Sequence, residues 1–156
     1  MFAPKFRAGI DVGSTTVKAV VVDAATDAVL WKDYRRHDTR QLDTLLDFLQ
    51  RMESEAGISQ DNCRVFMTGS GGTTLADMIG AKFVQEVLAA ALMIERRCPE
   101  ASAFVEIGGQ DAKIVILRKE PDTGRVKKIP SMNDKCAGGT GAVIDKISKK
   151  LGIPLQ

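Results

Sequence analysis

Three short segments of the chain combine glycines with side chains that bind phosphate or metal ions. They are residues 11–18 (DVGSTTVK), 106–111 (EIGGQD) and 133–141 (NDKCAGGTG). Glycines at such places allow a backbone to approach a ligand closely. In the first two segments, a carboxylate ends an apolar run that is typical of a strand. The spacing therefore indicates ligand-binding loops at the ends of strands.

The first segment has the parts that a polyphosphate with a divalent cation requires. Its turn residues are Gly13, Ser14, Thr15 and Thr16. Backbone N–H groups and hydroxyls of such a turn bind phosphate oxygens, Asp11 would orient hydrated Mg²⁺, and Lys18 would add positive charge. The segment lacks the G-x-x-x-x-G-K-[ST] spacing of a Walker loop. A plain hairpin turn is the alternative interpretation.

The second segment repeats this design. Glu106 ends an apolar run, and Gly108 and Gly109 follow it. Gln110 or Asp111 would position a water molecule or bind Mg²⁺ through water. A β-turn with polar surface residues is the alternative here. Two such loops in one chain favour a phosphate site, because a phosphate chain can lie between two facing turns.

The third segment places Cys136 shortly before a predicted helix that begins at residue 141. Helix N-termini bind anions and lower the pKa of a thiol, so Cys136 is a candidate thiolate ligand. Cys63 and Cys98 lack this setting and are predicted to be inert. An iron–sulfur cluster normally has four thiolate ligands, so a cluster here would require further ligands or another subunit.

The composition excludes several classes of protein. The 156 residues include 22 Lys and Arg and 20 Asp and Glu, and a net charge of 22 − 20 = +2 predicts neither a nucleic-acid nor a membrane partner. No apolar run approaches the roughly 18 residues of a membrane span, and the N-terminus lacks the apolar region of a secretory signal. Three cysteines do not make a disulfide framework and indicate cytoplasmic thiols. The single histidine, His37, is predicted to lie in a surface loop.

The apolar periodicity predicts one mixed α/β domain with no internal repeat. Strands are predicted at residues 7–12, 17–22, 28–34, 64–68, 104–107, 113–117 and 126–129, and helices at residues 38–56, 73–79, 83–96 and 141–151. The first three strands are predicted to form an antiparallel meander, and the last two a hairpin. Gly57 would cap the first helix. The predicted inward residues are Leu42, Leu45, Leu46, Leu49 and Met52 in the first helix, and Ala142, Ile144, Ile147 and Leu151 in the last.

Taken together, the three segments resemble the activator ATPases of 2-hydroxyacyl-CoA dehydratases and the ATPase subunits of benzoyl-CoA reductases, which form one family. The motifs occur in the family order, and the similarity extends from residue 7 to residue 151. This resemblance implies the acetate and sugar kinase/Hsp70/actin fold, in which two ribonuclease-H-like halves hold a nucleotide in a cleft. It also implies a homodimer that shares one [4Fe–4S] cluster. In that family, ATP hydrolysis drives one low-potential electron into a dehydratase or CoA-thioester reductase.

The resemblance also implies roles for the matching residues. Asp11 would bind Mg²⁺ through water and, with Gln110 and Asp111, act in catalysis. Cys136 would be a ligand of the cluster. The implied cofactor-binding residues are Gly13, Ser14, Thr15, Thr16, Lys18, Glu106, Gly108, Gly109, Gly138 and Gly139. Glu86 resembles a glutamate on a family helix, to which no role is assigned.

The chain departs from the family pattern at several positions. Glu106 stands where the family usually has Asp, and Leu88 and Ala89 stand where a Cys-His pair is common. The family's second cluster cysteine and its adenosine-binding segment would follow Gln156. Residues 1–156 are therefore expected to be a single ribonuclease-H-like half-domain that is inactive alone, with the second half downstream. A small-molecule kinase of the same superfamily and a nucleotide-sensing module of a larger protein are the alternatives.

Overall fold

The computed structural model describes residues 3–109, 112–132 and 140–153. Contacts between residues divide the chain into two compact units, Met1–Glu86 and Val87–Gln156. The single half-domain expected from the resemblance stays a prediction. No helix within the described ranges is long and apolar enough to cross a membrane.

The first unit is a five-stranded sheet with two helices. Its elements are β1 (Phe6–Val12), β2 (Thr16–Asp23), β3 (Val29–Arg36), α1 (Gln41–Ala56), β4 (Cys63–Thr68), α2 (Gly72–Ile79) and β5 (Lys82–Phe83). The strand order is β3-β2-β1-β4-β5. β1, β2 and β3 pair antiparallel, which confirms the predicted meander, whereas β4 pairs with β1 in parallel. The sequence did not predict β5, because its two residues are too short for a periodic pattern.

The core of the first unit lies between this sheet and α1. Every second residue of β1 is buried, as period-two alternation requires. From α1, the buried apolar side chains are Leu45, Phe48 and Met52, which recur every three or four residues. Leu42 and Leu46 were predicted to face inward and are instead exposed, because they lie off this narrow stripe. Gly57 ends the helix at φ 69° and confirms the predicted cap.

The second unit is a three-stranded antiparallel sheet with helices before and after it. Its elements are α3 (Glu86–Arg97), β6 (Ala103–Ile107), β7 (Ala112–Lys119), β8 (Val126–Met132) and α4 (Gly141–Leu151). The strand order β6-β7-β8 confirms the predicted hairpin of the last two strands. The bounds of α4 are those predicted from the sequence.

Two apolar faces of the second unit are exposed. One belongs to β6 and β7 and comprises Val105, Ile107, Ile114 and Ile116. The other belongs to α4, whose residues Ile144, Ile147 and Leu151 were predicted to face inward and are exposed. That prediction was wrong because periodicity identifies the apolar face of a helix but not whether another element covers it.

Candidate functional site

The first candidate loop is the turn between β1 and β2. The Gly13 N–H donates to the Thr16 carbonyl at 2.9 Å and closes the turn. Asp11 and Lys18 are register partners on the two strands. The Lys18 ammonium nitrogen lies 2.7 Å from Asp11 Oδ2. The structure therefore brings together the carboxylate, the turn and the cation that the sequence singled out.

A glycine loop after β4 lies against the end of β1. The Gly71 N–H donates to the Val12 carbonyl at 2.9 Å. Gly69 has φ +97°, and a Cβ there would lie 2.3 Å from the Val12 carbonyl oxygen and 2.6 Å from Asp11 Oδ1. Only glycine fits this position, because both the backbone angle and the space exclude a side chain. The cluster of glycines at residues 69–72 thus brings backbone up to the Asp11 carboxylate.

Thr68 is a residue of this site that the sequence analysis missed. It is the parallel register partner of Asp11, at the carboxyl ends of β4 and β1. Its hydroxyl oxygen is buried, and within the described parts of the chain it has no hydrogen-bond partner. Buried hydroxyls are normally paired, so this one is suited to a ligand or a water molecule. Only the strand pairing identifies it, since a single threonine gives no sequence signal.

His37 and Gln41 were also missed, and both contact the first turn. His37 was predicted to lie in a surface loop, but it is 5% exposed. Its Nε2 lies 3.2 Å from the Gly13 carbonyl oxygen, and the Gln41 side-chain amide donates to the same oxygen at 3.3 Å. The prediction was wrong because the connection from β3 to α1 folds back over the turn, a tertiary contact that no local pattern reveals.

The second candidate loop lies at the end of β6. Glu106 and Lys113 are register partners on β6 and β7. The Lys113 side chain is buried, and its ammonium nitrogen lies 3.9 Å from Glu106 Oε1. At the same loop the Gly141 N–H of α4 donates to the Gly108 carbonyl at 3.0 Å. The start of α4 is thereby joined to the glycine pair of the second motif.

The two loops share one arrangement, although no internal repeat was predicted from the sequence. Each unit contains three antiparallel strands followed by a helix. In the first unit the carboxylate, the glycine and the lysine are Asp11, Gly13 and Lys18; in the second they are Glu106, Gly108 and Lys113. The spacing is the same in both, and each lysine is the register partner of its carboxylate. The repeat is one of topology and of a few site residues, which a comparison of whole segments misses.

Several predicted site residues lie outside the described residues: Gln110, Asp111, Cys136, Gly138 and Gly139. Their roles remain predictions. Of the other cysteines, Cys63 is half-buried, and burial raises the pKa of its thiol while a hydrogen bond from the Ala8 backbone opposes the rise. Within the ranges that the structure covers, no group of three or more metal-binding side chains occurs.

A comparison with protein families shows to which family the chain belongs. Residues 8–156 match the BadF/BadG/BcrA/BcrD ATPase family. The chain belongs to this family. The match confirms the resemblance drawn from the three motifs. One family relative, the activator of lactoyl-CoA dehydratase from Anaerotignum propionicum, is 32% identical over 156 residues, which cover 97% of this chain and 56% of that protein.

Solved structures of family members confirm the fold class. The activator of 2-hydroxyisocaproyl-CoA dehydratase from Clostridium difficile, with bound ADPNP, is 28% identical with a TM-score of 0.76 and covers 96% of this chain and 53% of that one. Component A of the (R)-2-hydroxyglutaryl-CoA dehydratase of Acidaminococcus fermentans is 26% identical with a TM-score of 0.78 and covers 96% and 55%. This family has the predicted actin/Hsp70/sugar-kinase fold. The chain spans about half the length of these relatives.

Proposed function

We propose that this chain is the nucleotide-binding part of an ATPase that activates a 2-hydroxyacyl-CoA dehydratase or a related CoA-thioester reductase. Family membership supports the reaction class, since the relatives named above are dehydratase activators. The observation that supports the proposal is the geometry at the turn after β1, where the Asp11 carboxylate lies against the Gly69 backbone and beside Lys18.

The residues of the first unit fit a Mg·nucleotide. The hydroxyls of Ser14 and Thr15 and backbone N–H groups of the turn would bind phosphate oxygens. Asp11 would orient the water shell of Mg²⁺ through Oδ1, because Lys18 already holds Oδ2. The buried hydroxyl of Thr68 would complete its hydrogen bonding with that water. ATP and water would be converted to ADP and phosphate at this edge of the sheet.

The second unit would supply the second phosphate loop and the cluster ligand. Glu106, Gly108 and Gly109 would form the loop together with Gln110 and Asp111, and Cys136 would be a thiolate ligand of a [4Fe–4S] cluster shared by a homodimer. When bound, such a cluster accepts and passes on single electrons. Hydrolysis of ATP would be coupled to transfer of one electron to the dehydratase.

We propose further that the chain corresponds to the N-terminal half of such an activator. It spans about half the length of its relatives. In the first unit the meander and α1 are followed by β4, α2 and β5, and β4 pairs with β1. The second unit contains a meander of its own, formed by β6, β7 and β8 and followed by α4. These elements correspond only to the first part of the element order of the first unit. Residues downstream in the complete gene product would supply the corresponding strands and helices.

The decisive test is an anaerobic iron determination and EPR spectrum of the complete gene product, with Cys136→Ser and Cys98→Ser compared. We expect a reduced [4Fe–4S] signal in the wild type and in Cys98→Ser, and its loss in Cys136→Ser with nucleotide binding retained. A folded, ATP-hydrolysing wild type without iron would refute the activator proposal and favour a kinase. Full iron content in Cys136→Ser would show that the ligands lie elsewhere.

A further inference from the structure

The carbonyl oxygen of Gly13 accepts hydrogen bonds from two side chains of the connection between β3 and α1. The donors are His37 Nε2 at 3.2 Å and Gln41 Nε2 at 3.3 Å. We propose that His37 and Gln41 are positioning residues, which orient the first turn for phosphate binding. This inference rests on the nucleotide-binding function proposed above. We call the two side chains the carbonyl clamp.

The contacts of His37 define which ring nitrogen carries the proton. The Thr39 N–H donates to His37 Nδ1 at 3.1 Å, so Nδ1 is an acceptor and carries no hydrogen. In the neutral ring the hydrogen is therefore on Nε2, which faces the Gly13 carbonyl. His37 thus acts as a donor to the turn and is itself oriented by the Thr39 backbone.

The clamp determines the direction of the next N–H group. In a trans peptide the C=O and N–H bonds point in opposite directions. Because the Gly13 carbonyl is directed at His37 and Gln41, the Ser14 N–H points to the opposite side of the turn. The same holds two peptides further on, since the Thr15 carbonyl accepts a hydrogen bond from the His37 N–H at 3.2 Å. The N–H groups of Ser14 and Thr16 therefore share a side, an arrangement that binds anions.

The connection adopts an unfavourable backbone conformation to make these contacts. Asp38 and Thr39 have φ of 45° and 70°, in the left-handed region that a β-branched residue such as Thr39 rarely adopts. Strained residues of this kind cluster at functional sites. A glycine also makes room for the clamp, because a Cβ at Gly71 would lie 3.2 Å from Gln41 Nε2.

A first experiment examines the clamp without any ligand. The chain contains one histidine, so the ¹⁵N NMR signals of its imidazole need no separation from others. We expect the tautomer with hydrogen on Nε2 and none on Nδ1, as the two contacts of the ring require. A ring with hydrogen on Nδ1 and none on Nε2 would refute the donor role of His37, whatever the chain binds.

A second experiment measures the effect of the clamp on nucleotide binding. Mg·ADPNP is titrated into the ¹⁵N-labelled complete gene product, and the chemical shifts of the Ser14 and Thr16 amides are followed. Loss of one such hydrogen bond corresponds to a factor of about 3 to 10 in affinity. We expect His37→Leu and Gln41→Leu each to raise the dissociation constant by about that factor. We expect His37→Gln, which keeps an N–H donor, to recover most of the affinity.

The control is Met52→Ala, which removes a buried side chain of α1 but leaves both donors in place. If His37→Leu and Gln41→Leu both bind Mg·ADPNP as the wild type does, the clamp has no positioning role. The same conclusion follows if Met52→Ala weakens binding as much as they do. If Mg·ADPNP causes no change in the amide chemical shifts of the wild type, the result is a different one. It would refute the nucleotide site itself, and therefore also a positioning role of the clamp for nucleotide binding.

Discussion

The ammonium nitrogen of Lys18 lies 2.7 Å from Asp11 Oδ2, directly across the first hairpin. Both side chains are partly exposed, 42% and 32%. Ion pairs with this exposure contribute about 1 kcal/mol or less to stability. The pair is better explained by orientation of the carboxylate, since one of its oxygens is held by Lys18 while the other faces the Gly69 backbone.

Replacement of Lys18 by Met should therefore reduce activity more than stability. We expect ATP hydrolysis by the complete gene product to fall about tenfold or more, since a charged donor at the site is lost. The free energy of unfolding should change by less than about 1 kcal/mol. Lys18→Arg serves as the control that keeps the charge. Wild-type turnover in Lys18→Met would show that the pair has no role in the reaction.

Replacement of Asp11 by Ala should abolish Mg²⁺-dependent hydrolysis, with a loss of about 100-fold or more, because the turn loses the carboxylate that would orient the metal's water shell. Steady-state phosphate release measures the effect. The exposed residue Asp61 provides the control variant Asp61→Ala, which should keep full turnover. Unchanged hydrolysis in Asp11→Ala would remove the metal role from this residue.

Replacement of Thr68 by Val should separate ligand binding from stability. The buried hydroxyl has no partner among the residues that the structure describes, so its removal should leave the unfolding free energy unchanged or raise it by about 1 kcal/mol. Hydrolysis should nevertheless fall several-fold if the hydroxyl binds the metal's water. Thr68→Ser keeps the hydroxyl and should retain activity. A Thr68→Val protein that is strongly destabilised but fully active would contradict this interpretation.

Gly69 and Gly57 form a matched pair for a stability test. Both have positive φ, +97° and +69°, but a Cβ has no heavy atom within 4 Å at Gly57 and severe clashes at Gly69. Gly57→Ala should lower the free energy of unfolding by about 1 kcal/mol, because only the backbone angle is unfavourable there. Gly69→Ala should lower the free energy of unfolding by about 2 kcal/mol more, because Val12 and Asp11 must also move. Denaturant titrations measure both values, and equal costs would show that the loop after β4 can withdraw from Asp11.

Acid should destabilise the first unit through a network on β3 and α1. Hydrogen bonds from Arg51 and from the Trp31 indole lower the pKa of Glu55. Burial opposes ionisation of Asp33, but hydrogen bonds from Arg51 and the Tyr34 amide outweigh it and lower its pKa. Both groups bind protons more weakly when folded. They therefore stabilise the protein above the usual carboxyl pKa of about 4, and this contribution is lost as pH falls through the lowered folded values.

The measurement is the melting temperature between about pH 2 and pH 7 for the wild type and for a double variant, Asp33→Asn with Glu55→Gln. We expect the melting temperature of the variant to fall less steeply as the pH is lowered. Asp23, whose pKa is lowered chiefly by hydrogen bonds from Thr26, remains in both proteins and accounts for part of the decline that is left. An identical decline in both proteins would exclude the network as its source.

The features predicted correctly from the sequence are those that depend on residues close together along the chain. β-branched residues indicated β1 and β2, and the short connections between sequential strands indicated the antiparallel meander. A glycine after the periodic residues of α1 indicated the left-handed cap at Gly57. The motifs around Asp11 and Glu106 likewise indicated carboxylates at strand ends. His37, Gln41 and Thr68 were missed because their partners lie 24, 28 and 57 residues away along the chain. Such contacts depend on how elements pack, and a single sequence does not encode them in any local spacing.

The chain contains one tryptophan, and its position decides what intrinsic fluorescence can report. Trp31 lies in the first unit, nearly buried, with its ring edge-on to Phe48 at 5.8 Å and its indole N–H donating to Glu55 at 2.6 Å. Its emission will therefore follow the melting of the meander and α1. Unfolding confined to the second unit leaves this chromophore in place, so an optical titration alone can record a single transition while half of the molecule has already opened.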